Sequence, residues 1–184
     1  IASTTRAKQA NEDGSFAWEI APVAVPGRGG DTVVKFDEQP FKAKLDKIPT
    51  LKPAFRPDGA ITAATSSSIS DGAAALVLMR RGDAEKQGKK ILATVVAQAS
   101  HAQEPQKFTS APVPAIHKAL ARAGWKTGDV DLWEINEAFA IVPMIAMKDL
   151  GISHDITKIM QAEEKLALLH EARERLVTFI EESI

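Results

Sequence analysis

The sequence predicts an α/β fold, in which a mixed sheet carries helices on its faces and a C-terminal amphipathic helix follows. Three predominantly apolar runs, at residues 72–79, 91–97 and 130–135, have the length and composition of strands, and the first of them is nearly unbroken. Residues 114–123 and 138–150 carry apolar side chains at helical spacing. Because strands that alternate with helices form a sheet covered by helices, we expect these five segments to build one layered unit.

The residues before the first apolar run predict smaller elements. Residues 2–9 favour a helix that ends by Gly14, and residues 20–25 and 31–36 favour two short strands. The glycine-rich stretch at 27–30 lacks the order of a phosphate-binding loop, so we expect a hairpin turn there. Four prolines within residues 39–59 exclude a long helix and indicate an extended, turn-rich segment.

The last segment, residues 156–184, differs in composition because it contains neither glycine nor proline. Its apolar residues recur at spacings of three, four and seven, which predicts an amphipathic helix. Such a helix either packs on the core of its own chain or pairs with a partner helix, and both readings stay open. The apolar positions are Ile159, Leu166, Leu169, Leu176, Ile180 and Ile184.

Composition excludes several classes of function. A net charge of −1 offers no basic excess for nucleic acid, and no apolar run approaches the roughly 20 residues that span a bilayer. The N-terminus lacks the layout of a signal peptide, so we expect a cytoplasmic protein. The complete absence of cysteine excludes disulfides, thiolate metal sites and a cysteine nucleophile. No cluster with metal-ligand spacing occurs, and the four histidines favour solvated or helix-surface positions.

Asn136 stands between the predicted strand at 130–135 and the predicted helix at 138–150. This position places its amide at a helix N-terminus, beside unpaired backbone N–H groups. The amide could cap the helix, as Asn often does. It could instead orient a water or donate to a carbonyl oxygen that gains charge during a reaction. Spacing alone leaves both interpretations open.

Four stretches of the sequence together resemble thiolases, the acetyl-CoA acetyltransferases. The stretches are LKPAFRPDGAITAA at 51–64, SSSISDGAAALVLM at 66–79, APVPAIHKALARAGW at 111–125 and NEAFA at 136–140. The resemblance runs in order from residue 1 to about residue 155, and residues 156–184 do not match. It implies a partial thiolase-like layered α/β segment at 1–155, incomplete relative to the family, and an unrelated helix at 156–184.

The resemblance also implies which residues bind a ligand. Asn136 resembles the oxyanion-hole asparagine of thiolases, and Ser67 the serine that contacts the pantetheine arm of coenzyme A. The apolar walls of the cleft for that arm correspond to Phe55, Ala63 and Ile69, and the wall of the acyl pocket to Phe139. The implied ligand is coenzyme A or its thioester, with no metal and no further cofactor.

Departures from the family pattern limit the chemistry that this resemblance implies. Thiolases use two cysteines and a histidine in a Gly-His-Pro segment, and none of these occurs in the 184 residues. The sequence therefore predicts a partial coenzyme A surface that is inactive alone. The alternative is an active acetyltransferase assembled with another chain that supplies the missing residues. We expect a homo-oligomer or a partner helix through residues 156–184.

Overall fold

The computed structural model describes residues 1–17 and 20–152, which belong to two compact units. The first unit extends from Ile1 to Ala64, and the second begins at Thr65. The predicted amphipathic helix at 156–184 lies outside the described residues. No helix in the described part of the chain is long and apolar enough to cross a membrane.

The first unit begins with helix α1 (Ala2–Asp13), which ends at Gly14. Gly14 has φ 79°, a left-handed conformation that glycine adopts without strain. Strands β1 (Val23–Val25) and β2 (Thr32–Val34) follow and pair antiparallel. A turn joins them, in which the Gly30 N–H donates to the Gly27 carbonyl over 3.2 Å. These elements confirm the predicted helix stop and hairpin.

Two short helical elements follow, namely α2 (Gln39–Lys42) and a 3-10 helix (Leu45–Thr50), and residues 51–62 contain bends and turns without helix or strand. The Asp37 N–H donates to Asn11 Oδ1 over 3.1 Å, which ties α1 to the start of α2. The Lys8 ammonium also lies 5.8 Å from the centre of the Phe41 ring. None of the described residues of this unit is fully buried, so polar and ring contacts take the place of an apolar core.

The second unit is built on helices α3 (Arg81–Lys86), α4 (Pro112–Ala123) and α5 (Ile141–Leu150). Short 3-10 helices lie at Ala63–Thr65, Pro105–Ser110 and Thr127–Asp129, the first of them at the boundary between the units. Proline in the first turn of α4 costs no hydrogen bond, since that N–H has no helical partner. Left-handed glycines at 124 and 151 end α4 and α5.

The core of the second unit lies between α4 and α5. Val113, Ile116 and Leu120 of α4 pack in one cluster with Ala146 and Leu150 of α5. Partly buried side chains border this cluster: Trp125, Val130, Trp133, Ile135, Ile145 and Ile152. The periodic segments predicted at 114–123 and 138–150 thus form helices, but they pack on each other and not on a sheet.

The α/β class is confirmed, but the predicted pairing of the three apolar runs in one sheet is wrong for the described residues. The runs at 72–79, 91–97 and 130–135 form neither helix nor paired strand. Leu76, Val77 and Leu78 are 80%, 87% and 72% exposed. A strand persists when its N–H and C=O groups bond to a neighbour, and in the described part of the chain these runs have no neighbouring strand. The run at 130–135 packs on the helical core instead.

Candidate functional site

Two sequence segments that lie about 70 residues apart meet in a short backbone pairing. The Ser67 N–H donates to the Ala138 carbonyl over 3.0 Å, and the Ala140 N–H donates to the Thr65 carbonyl over 2.9 Å. Ser66 thereby lies opposite Phe139 in an isolated antiparallel bridge. We call residues 65–67 and 137–140 the serine bridge. It brings the serine-rich segment against the segment that follows Asn136.

The side chain of Ser67 adds a third bond to the serine bridge. Its hydroxyl donates to the Glu137 carbonyl oxygen over 2.9 Å. Ser67 is exposed, so this bond forms in contact with solvent. The hydroxyl therefore fixes the peptide group that joins residues 137 and 138, one residue beyond Asn136.

Phe139 supplies the apolar part of the bridge. Its ring centre lies 5.3 Å from that of Phe108, with the two ring planes tilted by 56°. Phe108 comes from the 3-10 helix Pro105–Ser110 and is 44% exposed. Aromatic pairs at this separation attract each other beyond the area that they bury. Sequence reasoning missed Phe108, because it stands in an irregular polar stretch where no periodic pattern identifies it.

Asn136 does not lie at the N-terminus of a helix, so the cap interpretation is wrong. Helix α5 begins at Ile141 with Ala140 in the capping position and without a side-chain cap. The physical reason is the serine bridge, which pairs Phe139 with Ser66 and uses the Ala140 N–H for the Thr65 carbonyl, so the helix begins three residues after the predicted start at 138. Asn136 is exposed in the segment before the bridge. A role in orienting substrate stays a prediction.

The remaining predicted residues are distributed between the two units. Ile69 follows the serine bridge and is fully exposed, at 104%. Ala63 and Phe55 belong to the first unit, where Ala63 is exposed and Phe55 is 75% exposed. Phe55 borders a shallow cavity of about 240 Å³ with Arg56, Gly59, Ala60 and Ile61. The structure thus brings Ser67 and Phe139 into one bridge next to Asn136, with Ile69 two residues beyond Ser67.

Histidine and acidic side chains do not form a metal centre in the described part of the chain, where no group of three potential ligands occurs. His101 is half-buried, and its Nδ1 lies 3.1 Å from Lys118 Nζ and its Nε2 3.2 Å from Gln103 Oε1. His117 is exposed on α4, as expected. The other two histidines, His154 and His170, lie outside the described residues.

Comparison with known proteins identifies the family. The family model for the thiolase N-terminal domain matches residues 1–82, and that for the thiolase C-terminal domain matches residues 89–170. The chain belongs to the thiolase family. The second match extends past the boundary near residue 155 that the sequence predicts, and the division of the chain at that boundary stays a prediction.

Relatives and solved structures of the thiolase family are similar along most of this chain. The probable acetyl-CoA acetyltransferase of Dictyostelium discoideum is 46% identical over 156 residues, which cover 84% of this chain and 38% of the relative. The acetyl-CoA acetyltransferase of Bacillus anthracis superposes with a TM-score of 0.79 at 32% identity, over 92% of this chain and 48% of that one.

The thiolase of Ascaris suum, solved in complex with coenzyme A, has a TM-score of 0.76 at 37% identity, over 83% of this chain and 39% of that one. The chain spans about two fifths of the length of the curated relatives that it matches.

Proposed function

We propose that this thiolase-family chain presents part of a coenzyme A-binding surface and does not catalyse acyl transfer alone. The serine bridge is the observation that carries the proposal. It contains Ser67 and Phe139 and lies directly next to Asn136 in the sequence, so three residues that the family resemblance assigns to the ligand lie in or beside one short pairing. The Ascaris suum thiolase, similar over most of this chain, was solved with coenzyme A bound.

The absence of a nucleophile supports the second half of the proposal. Covalent acyl transfer needs an activated nucleophile, and these 184 residues contain no cysteine. Methionine sulfur is a thioether and cannot carry an acyl group as a thioester. The Ser67 hydroxyl donates its hydrogen bond to the Glu137 carbonyl, which is no base. It therefore stays a weak nucleophile.

Thiol release tests the inactivity directly. The purified chain is incubated with acetyl-CoA, and free coenzyme A is measured with a thiol reagent. Because the chain has no cysteine, it contributes no thiol background of its own. We expect no release above buffer and no acetyl adduct in the intact mass. Turnover by the chain alone would refute the proposal.

Calorimetric titration tests the binding half. We expect weak coenzyme A binding that falls at least about tenfold in Ser67→Trp, a change of about 1.4 kcal/mol, because the indole would fill the space beside the bridge. The matched control is Ser100→Trp, which adds the same indole to another exposed serine of the second unit, outside the serine bridge. Equal affinity of the two variants would show that the ligand does not approach Ser67.

A second candidate function is an active acetyltransferase assembled with another chain. The exposed apolar run at 72–79 favours it, because Leu76, Val77 and Leu78 form the kind of surface that recruits a partner. The partner would supply two cysteines and a Gly-His-Pro histidine. Acetoacetyl-CoA cleavage that appears only when such a chain is added would support this candidate. Co-purified chains without turnover would contradict it.

We also propose a cytoplasmic location and self-association through residues 156–184. Support for both comes from the sequence, which lacks cysteine for disulfides and places apolar residues along one face of the last segment. Cell fractionation tests the location. Sedimentation equilibrium tests the association, and a monomer at every concentration would contradict it.

A further inference from the structure

The Ser67 hydroxyl is engaged before any ligand arrives. It donates to the Glu137 carbonyl over 2.9 Å, while the N–H of the same residue donates to the Ala138 carbonyl over 3.0 Å. Two bonds from one residue hold two successive carbonyls of the segment that follows Asn136. The neighbouring hydroxyl of Ser68 lies instead 3.1 Å from that of Ser70, within its own loop.

We infer that Ser67 is a positioning residue, which holds the Asn136 segment in its place through the Glu137 carbonyl. Its hydroxyl fixes the peptide group between residues 137 and 138, one residue beyond Asn136, and so restricts the backbone segment that carries the Asn136 amide. The bond uses the single proton of the hydroxyl, so the Ser67 oxygen keeps lone pairs that can accept from a ligand but has no further proton to donate. The inference rests on the proposed function in one respect only, which is that the held segment would present Asn136 to coenzyme A. The contacts of Ser67 themselves do not require coenzyme A.

Loss of the hydroxyl should loosen the serine bridge in the absence of ligand. The bridge is short and isolated, so no neighbouring ladder compensates for a missing bond. One ordinary hydrogen bond contributes about 1 kcal/mol, or about a fivefold change in an opening equilibrium at 1.4 kcal/mol per factor of ten. The Ala140 amide, which donates to the Thr65 carbonyl, reports this opening.

The experiment compares Ser67→Val with Ser67→Thr by NMR on the full chain without coenzyme A. The two replacements have nearly the same shape, and only threonine keeps the hydroxyl. We expect amide hydrogen exchange at Ala140 to become about fivefold faster in Ser67→Val and to stay within about twofold of the starting chain in Ser67→Thr. The side-chain amide signals of Asn136 should shift in Ser67→Val alone.

Two controls separate a local effect from a general one. Ser68→Ala removes the adjacent hydroxyl and should leave the Ala140 amide unchanged. The Trp125 amide, which donates to the Leu120 carbonyl at the end of α4, should exchange at the same rate in every variant. Equal acceleration at Trp125 would show that Ser67 supports the whole unit, and would overturn the inference.

The inference is also overturned if Ser67→Val leaves Ala140 exchange and the Asn136 signals unchanged. Failure of the proposed function looks different, because it is a lack of coenzyme A binding by the starting chain. The starting chain could fail to bind coenzyme A while Ser67→Val still shows the faster amide exchange at Ala140. The two ideas therefore fail through separate measurements.

Discussion

Leu120→Ala tests the account of the second unit, whose core is the contact between α4 and α5. Leu120 is 4% exposed and packs in the cluster that includes Ala146 and Leu150 of the facing helix. Truncating a buried leucine to alanine costs about 2–5 kcal/mol, and the cost rises with the cavity that remains. Because the cluster is small and the side chains that border it are only partly buried, the site can partly collapse. We expect a loss of about 3 kcal/mol.

Urea unfolding followed by tryptophan fluorescence measures this loss, since Trp125 and Trp133 pack against the cluster. The matched control is Met144→Ala, which removes a side chain of α5 that is 57% exposed. An exposed substitution should change the free energy of unfolding by no more than about 0.5 kcal/mol. A loss below about 1 kcal/mol in Leu120→Ala, or equal losses in both variants, would refute the placement of the core.

Two further predictions concern other parts of the chain. Two hydrogen bonds to Asp13 lower the pKa of its carboxyl, the larger effect coming from the Ser15 hydroxyl and the smaller from the Ser15 N–H. Ser15→Ala should therefore raise this pKa in an NMR titration. Because the folded pKa is the lower one, the stabilisation is present above the unfolded pKa and is lost as pH falls through the folded pKa; an unchanged titration would contradict the assignment. If the segment at 156–184 covers apolar surface, Leu169→Asp combined with Leu176→Asp should lower solubility or change the sedimenting mass, and unchanged behaviour would count against that role.

Local sequence signals predicted the helices and the hairpin well. Glycine at 14 and 124 marked two helix ends, because only glycine adopts the left-handed conformation there without strain. The three apolar runs misled the prediction, because a strand depends on a partner that local sequence does not reveal. Their apolar content still indicated side chains that favour burial, and those of the run at 130–135 pack against the core of α4 and α5.

Sequence motifs predicted candidate residues for the site but not the contacts among them. The resemblance implied that Ser67, Asn136 and Phe139 contact one ligand, and this stays a prediction. It gave no reason to expect a bond from the Ser67 hydroxyl to a backbone carbonyl, or an aromatic contact with Phe108. Such contacts depend on where a loop lies in space. The late start of α5 belongs to the same class, since the serine bridge overrides the helical pattern of residues 138–140.

Titration of the ¹⁵N-labelled chain with coenzyme A, followed by NMR, tests whether the serine bridge belongs to a coenzyme A-binding surface. Amide signals of the serine bridge, together with those of Asn136 and Ile69, should shift progressively with ligand concentration. Acetyl-CoA added to the same sample should stay intact. No shift at these residues, shifts confined to other parts of the chain, or consumption of acetyl-CoA would contradict the account.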